Sequence, residues 1–229
     1  NEKAIKTNVG VDARLFGGLT LTADAFYQRR NNIWVSAEGK YTALVGRQVP
    51  YENAGIVDSW GAEFGLNYNK TWNDFTLNIG GNIDYYKSKI VEMLEEPRLF
   101  SNLVRTGDPV GQIYGLEAIG FFKDAADIAN SPAQTFSVVA PGDIKYKDVN
   151  GDNVIDENDI TKIGRSTTAP ELFFNFNIGA EWKGLGFYAL FQGAGNYTAI
   201  LNTKSMYWPL IDNTNISAYA YDNRWTPGN

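Results

Sequence analysis

The chain has 229 residues, room for one or two domains with a sizeable core. It carries 20 Lys+Arg against 26 Asp+Glu, a net charge of −6, which argues against a nucleic-acid footprint built on clustered positive charge. Cys and His are both absent, which excludes disulfide scaffolds, thiol nucleophiles, Ser-His-Asp triads and His-ligated metals.

The dominant signal along the chain has period two. Residues 5–15 place Ile5, Thr7, Val9, Val11, Ala13 and Leu15 on one face, with Lys6, Asn8, Gly10, Asp12 and Arg14 opposite. Gly17-Gly18 reads as a two-residue hairpin turn, and the return strand sets Leu19, Leu21, Ala23, Ala25 and Tyr27 against Thr20, Thr22, Asp24 and Gln28. A second hairpin runs through Trp60, Ala62, Phe64, Leu66 and Tyr68, turns over the polar stretch Asn69–Asp74, and returns through Phe75, Leu77, Ile79, Ile83 and Tyr85. A third has Leu172, Phe174, Phe176, Ile178, Ala180 and Trp182, a turn at Lys183-Gly184, then Leu185, Phe187, Ala189 and Phe191. No long window carries a period of 3.6, so the chain reads as all-β.

Short and long connections alternate. The three hairpin turns are tight, whereas residues 29–58, 87–170 and 193 onward form long links, and links beyond about 12–15 residues are unusual in a compact soluble domain. Tight periplasmic turns alternating with long extracellular loops are the pattern of an outer-membrane barrel, whose strands need about 9–11 residues to cross the bilayer. Mean hydropathy of −0.30 is compatible with this, because alternation averages out. Charge exclusion from the apolar faces does not separate lipid from a sandwich core. Aromatics at strand ends on those faces (Tyr27, Trp60, Tyr68, Phe75, Tyr85, Trp182) favour lipid, as an interfacial girdle. The competing reading is a soluble β-sandwich with exposed polar faces.

One motif carries chemistry. Residues 148–159 read Asp-Val-Asn-Gly-Asp-Asn-Val-Ile-Asp-Glu-Asn-Asp. Against the twelve-position calcium loop, Asp148, Asn150 and Asp152 fall at positions 1, 3 and 5. Val154 offers a backbone carbonyl at 7, Asp156 stands at 9 and Asp159 closes the loop at 12. Asn153 replaces the usual Gly at position 6 and tolerates the left-handed conformation needed there. Asp159 is one methylene shorter than the usual Glu, and Ile155 suits the apolar anchor position. The expectation is one structural Ca²⁺ in a long loop, against the plainer reading of an Asp/Asn-rich turn without an ion.

Weaker candidates complete the survey. Glu95-Glu96 and Asp124/Asp127 are carboxylate pairs of the kind glycosidases use, but acidic pairs in loops are usually just solvated. The loop aromatics Trp34, Tyr41, Tyr207 and Trp208 are candidates to stack on a sugar or peptide ligand. No covalent chemistry is expected, and the chain is not read as an enzyme.

The run Pro141-Gly-Asp-Ile-Lys-Tyr-Lys-Asp-Val-Asn-Gly-Asp-Asn-Val-Ile-Asp-Glu-Asn-Asp159, followed by Ile163-Gly164, Pro170-Glu171 and Phe191-Gln-Gly-Ala194, resembles the SusC/RagA family of TonB-dependent outer-membrane transporters. Asn53-Ala-Gly-Ile-Val-Asp-Ser-Trp-Gly-Ala-Glu63, Arg105-Thr-Gly-Asp-Pro-Val-Gly-Gln112, Gly120-Phe-Phe122 and Arg224-Trp-Thr-Pro227 are similar to the same family, in order over nearly the whole chain. The resemblance implies an antiparallel transmembrane β-barrel of 22 strands around an N-terminal plug. It also implies a SusD-like lipoprotein over the outer mouth and energy supplied through TonB. On this reading residues 1–229 are a piece of barrel wall, with 87–170 an extracellular loop region holding the calcium-like motif. The signal peptide, plug, TonB-contacting segment and last strands are expected to lie outside the sequence.

The function so implied is import of glycan or peptide nutrients across the outer membrane of a Gram-negative, Bacteroidetes-like bacterium. Partners would be the lipoprotein, TonB through the missing parts, outer-membrane lipid and the ligand. The alternative is a soluble calcium-binding β-sandwich, such as a surface or carbohydrate-binding module.

Overall fold

Backbone alternation becomes hydrogen-bonded ladders in the computed structural model, which describes residues 1–41, 46–207 and 209–226. The strands are β1 (Lys3–Arg14), β2 (Leu19–Ser36), β3 (Tyr51–Trp72), β4 (Phe75–Glu92), β5 (Ile113–Gly115), β6 (Ala118–Phe121), β7 (Ala133–Gln134), β8 (Ile144–Tyr146), β9 (Val154–Ile155), β10 (Thr161–Gly164), β11 (Leu172–Trp182) and β12 (Leu185–Gly195). Among the described residues three short α-helices, α1 (Ala125–Ala129), α2 (Lys204–Tyr207) and α3 (Ala218–Asp222), interrupt the loops. The periodicity did not signal them, since each is little more than one turn.

The chain divides into two compact units. The first comprises Asn1–Pro97, Val104–Gln112 and Thr168–Tyr197, and holds one antiparallel sheet in the order β1-β2-β3-β4-β11-β12. Its register aligns the apolar residues of all three hairpins. Val11, Ala23, Phe64, Ile83, Phe174 and Gly193 form one cross-strand row. Ala13, Leu21, Leu66, Gly81, Phe176 and Phe191 form the next on that face. A slip of one residue in any pair would put its polar set on this face, so the pattern itself fixes the register.

Two turns differ from the sequence reading. The first hairpin closes through a 3₁₀ turn at Phe16–Gly18, with Leu15 N–H donating to the Leu19 carbonyl at 2.8 Å, rather than through Gly17-Gly18 alone. Gly18 has φ +93 and lies so close to β3 that a Cβ would stand 2.0 Å from the Asn69 carbonyl oxygen. The polar stretch Asn69–Asp74 is mostly strand, with only Asn73 and Asp74 outside β3 and β4. Pairing of Trp72 with Phe75, a ring contact at 6.2 Å, and the Thr71–Thr76 hydroxyl bond at 3.0 Å outweigh the turn preference of the polar residues. The Lys183-Gly184 turn is as read, with φ of 49° and 87°.

The strands are also longer than a bilayer crossing requires. β2 and β4 have 18 residues and β3 has 22, so the expected long links 29–58 and 87–170 shorten to 37–50 and 93–171. The extra length comes from ladder pairs that the alternation did not mark, such as Asp58 with Lys89 and Val35 with Glu52. Beyond the end of β11, the edge of β4 stays paired: Tyr86 N–H donates to the Glu171 carbonyl and Ile90 N–H to the Asp108 carbonyl, both at 2.8 Å. The Glu95 carboxylate accepts from the N–H groups of Arg105 and Thr106, each at 2.8 Å, and closes this strap.

The second unit comprises Arg98–Leu103, Ile113–Thr167 and the described residues from Thr198 on. It is built on small ladders: β5 with β10 and β6 with β8 antiparallel, and β7 with β9 parallel. Phe122 and Ile155 are its fully buried apolar side chains. The 87–170 segment read as one loop region is thus shared: 87–92 belong to β4, and 104–112 to the first unit.

Candidate functional site

The large sheet has two chemically distinct faces. On the apolar face Val9 is 70 % exposed, Phe176 46 %, Trp182 55 % and Phe191 63 %, so the residues that would fill a sandwich core are open. Aromatics border this face at both ends. At the short-turn end, Tyr68, Trp72 and Phe75 form a chain of ring contacts, and Lys70 and Lys183 place Nζ 5.4 Å from the Trp72 and Trp182 ring centres. Toward the long-loop end stand Tyr27, Trp60 and Tyr85, with Tyr27 opposite Trp60 in the ladder. From Trp60 to Trp72 the strand climbs roughly 40 Å, which at a tilt near 40° is about 30 Å along a bilayer normal. That separation suits a band about 25 Å tall between two girdles.

The opposite face is polar. Asp12, Thr22, Gly65, Asn82, Asn175 and Gln192 form one row. Asn175 Nδ2 donates to Asn82 Oδ1 and Asn177 Nδ2 to Asn78 Oδ1, the latter at 3.0 Å. At Gly80 a Cβ would stand 2.2 Å from Asn67 Oδ1 and 2.8 Å from Asn177 Oδ1, so glycine leaves room for flanking amides. This amide ladder escapes the sequence reading because it joins β4 to β11 across the longest connection in the sheet. Its only signal is an Asn at alternate positions on both strands.

The calcium-like loop lies in the second unit, and its backbone is held by its own acidic side chains. Asp148 Oδ1 accepts from Gly151 N–H at 2.6 Å and Oδ2 from Asn153 N–H at 2.8 Å. Asn150 Oδ1 accepts from Asp152 N–H at 3.1 Å, and Asp152 Oδ1 from Val154 N–H at 2.8 Å. Gly151 and Asn153 have φ of 81° and 64°, the left-handed turns the motif requires. Val154 lies in β9, and the buried Ile155 is the apolar anchor expected at position 8.

Asp159 is fully buried and ties the loop's end to its beginning. Its Oδ1 accepts from Val149 N–H at 2.7 Å and its Oδ2 from Asp156 N–H at 2.9 Å, while Asp156 Oδ1 accepts from Asn158 N–H at 2.7 Å. Asp156 is the N-cap of the 3₁₀ turn Glu157–Asp159, and the Asp159 carboxylate reaching back to the Asp156 N–H is the return half of its capping box. Asn102, which the sequence did not single out, donates to the carbonyls of Asn158 and Ile160 at 2.7 and 3.0 Å and braces the exit. Every donor in the set is a hard oxygen, as Ca²⁺ requires. Among the described residues, no three carboxylates converge as a ready-made cage. The side chains instead bind backbone N–H groups.

The remaining candidates are dispersed. Trp34 stacks on Tyr51 at 5.9 Å with an interplanar angle of 7°, and Tyr41 is exposed in the β2–β3 connection. Tyr207 ends α2, and Trp208 lies outside the described residues. Of the carboxylates considered as acid–base pairs, Glu95, Asp124 and Asp127 do structural work, and Glu96 is exposed. Asp124 caps α1, and Asp127 pairs with Lys145 Nζ at 2.8 Å, a contact that lowers the Asp127 pKa below its ordinary value.

No family model matches the sequence. The chain is 26 % identical over 235 residues to the TonB-dependent receptor P26 of Formosa agariphila, covering 97 % of this chain and 23 % of the relative. Among solved structures it is similar to the RagAB peptide transporter, with a TM-score of 0.60 and 22 % identity over 85 % of this chain and 21 % of that one. The RagAB peptide importer in its "open-open" state gives a TM-score of 0.61 with 18 % identity, over 84 % of this chain and 20 % of that one. The chain therefore spans about a fifth to a quarter of the length of these relatives, which are receptors and transporters, not enzymes. The SusC/RagA-like resemblance carried by the motifs is met in sequence and in fold, and the fold is that of an all-β barrel segment.

Proposed function

We propose that this chain is a stretch of barrel wall, with its outer loops, from an outer-membrane TonB-dependent transporter that imports glycan or peptide nutrients together with a SusD-like lipoprotein. The observation that carries the reading is the in-register, solvent-open apolar face bounded by aromatics, backed by a polar amide face. An open apolar face of six strands is stable beside hydrocarbon and a liability in water. The short-turn end then faces the periplasm and the long-loop end the outside. The polar face lines a wet lumen, where amides offer donors and acceptors without fixed charge, suited to a plug or a passing polar nutrient. Trp34 and Tyr41, with Tyr207 and Trp208, would offer ring faces to sugar or peptide.

In this reading the 148–159 loop holds one structural Ca²⁺ through Asp148, Asn150, Asp152, the Val154 carbonyl, Asp156 and Asp159. The ion supplies positive charge that offsets the crowded carboxylates, and the loop's own turns and the Asn102 brace position it. The test uses the intact transporter in its native host. Deleting the gene should abolish growth on the glycan or peptide it imports, and tagged protein extracted in detergent should bring down a surface lipoprotein. Release of the protein into buffer without detergent would overturn the reading in favour of a soluble module.

A further inference from the structure

The two ends of the apolar face use their cations differently. At the short-turn end Lys70 and Lys183 lie over tryptophan rings. At the long-loop end the same face carries Lys3, Arg29, Lys87 and Lys89; the ladder sets one carboxylate, Asp58, directly opposite Arg29 and Lys89, and Glu92 lies farther out opposite Ile56, so the cations remain in excess. Arg29 takes that carboxylate with two bonds of 2.7 Å, Nε to Oδ1 and Nη2 to Oδ2. Lys89 stands opposite Asp58 on the other side, and Lys87 stands opposite Trp60. Lys3 and Lys87 have no ion-pair or ring partner among the described residues. On the polar face at the same level the cation is matched: Arg30 Nε lies 3.1 Å from Glu2 Oε1.

Position adds to charge. Lys87 follows the girdle residue Tyr85 by one same-face step, about 7 Å along the strand, and Lys89 follows by two. Arg29 follows Tyr27 in the same way. Resting on the membrane reading above, this sets excess positive charge just outside the aromatic girdle of the outer leaflet, where lipid phosphates lie.

We propose that Lys87 and Lys89, with Lys3 beside them and Arg29 held upright by Asp58, form a docking surface for the phosphorylated head group of an outer-leaflet glycolipid. Hydrocarbon of the same lipid packs on the exposed face below, so chain and phosphate are bound together. A lysine near a lipid surface contributes about fivefold in affinity, so losing two weakens binding by about 25-fold.

The test measures binding of diphosphorylated lipid A to the full-length transporter in detergent by native mass spectrometry. The comparison is between wild type, K87Q/K89Q and K87R/K89R, with phosphate-stripped lipid A and inorganic phosphate as further probes. The expected result is loss of about 25-fold in the glutamine pair, retention in the arginine pair, weak binding of stripped lipid, and no displacement by inorganic phosphate. Equal binding by wild type and the glutamine pair, equal binding of stripped lipid, or displacement by inorganic phosphate overturns the proposal. If the glutamine pair does not assemble, wild type decides: binding that high salt leaves unchanged overturns the proposal, and binding that salt weakens upholds it. Heat-modifiable gel mobility of the wild type checks the barrel separately. A normal barrel with unaltered lipid binding defeats this inference alone, whereas loss of both defeats the membrane reading.

Discussion

Replacing Asp159 with Asn tests how the acidic loop is held. The carboxylate is fully buried and accepts strong bonds from Val149 N–H at 2.7 Å and Asp156 N–H at 2.9 Å, with Asn150 N–H farther off at 3.4 Å. An amide keeps one acceptor oxygen and turns an NH₂ donor toward a backbone donor, so one charged bond is lost and one half-buried N–H is orphaned. Bonds to charged groups contribute about 1.5–3 kcal/mol, and an unsatisfied buried donor costs about 1–3 kcal/mol. Allowing for relaxation, the loop should lose about 2–3 kcal/mol, a rise of about 30- to 150-fold in local opening. Hydrogen exchange over residues 148–160 of the full-length protein reads this directly. Asp152→Asn is the comparison: its side chain is exposed, so water replaces the bond to Val154 N–H and the cost stays below about 1 kcal/mol. Exchange in the Asp159→Asn variant equal to wild type would refute the account of the loop's closure.

If the loop holds calcium as proposed, chelation of the purified full-length protein should raise proteolysis within 148–159 and remove about one metal equivalent by elemental analysis; no change in either ends the calcium assignment. Phe176→Lys on the apolar face should cost about 2–4 kcal/mol in refolding into bilayers, against about 1 kcal/mol for Asn177→Lys on the polar face, where the Asn78 bond is lost. Equal costs would contradict the assignment of faces. The Asp127–Lys145 pair gives a pH dependence of definite sign. Because folding lowers the Asp127 pKa, its stabilisation is full above the ordinary carboxylate range and is lost as pH falls below it. Protection of the α1 amides, taken relative to their intrinsic exchange rates at each pH, should therefore fall at acid pH in wild type, and not in Asp127→Asn.

Much of the wall was legible because period two is a geometric consequence of strand backbone, and a buried or lipid-facing side leaves a clean record in sequences such as Leu172–Trp182. Turn chemistry was legible where it is intrinsic, as at Lys183-Gly184. It misled at Asn69–Asp74, where partners on the other strand decide, since Thr71 and Trp72 look like turn residues until Thr76 and Phe75 are set against them. Strand ends were misplaced for a related reason: residues 87–92 and 51–58 mix polar and apolar residues without strict alternation, and only their ladders make them strand. The calcium-like spacing was legible as chemistry because Asp and Asn occur at fixed offsets. The Asn102 brace was not, because it reaches the loop across 56 residues.

The direction in which the apolar face points is tested most directly by site-specific labels. This stretch has no cysteine, so single cysteines at 176, 177 and 178 can carry spin labels in full-length protein freed of any other thiol and reconstituted in lipid. The account predicts that labels at 176 and 178 collide with oxygen dissolved in the bilayer and are shielded from a water-soluble relaxant, and that the label at 177 does the reverse. Labels at 176 and 178 shielded from both agents, as within stacked sheets, would contradict it.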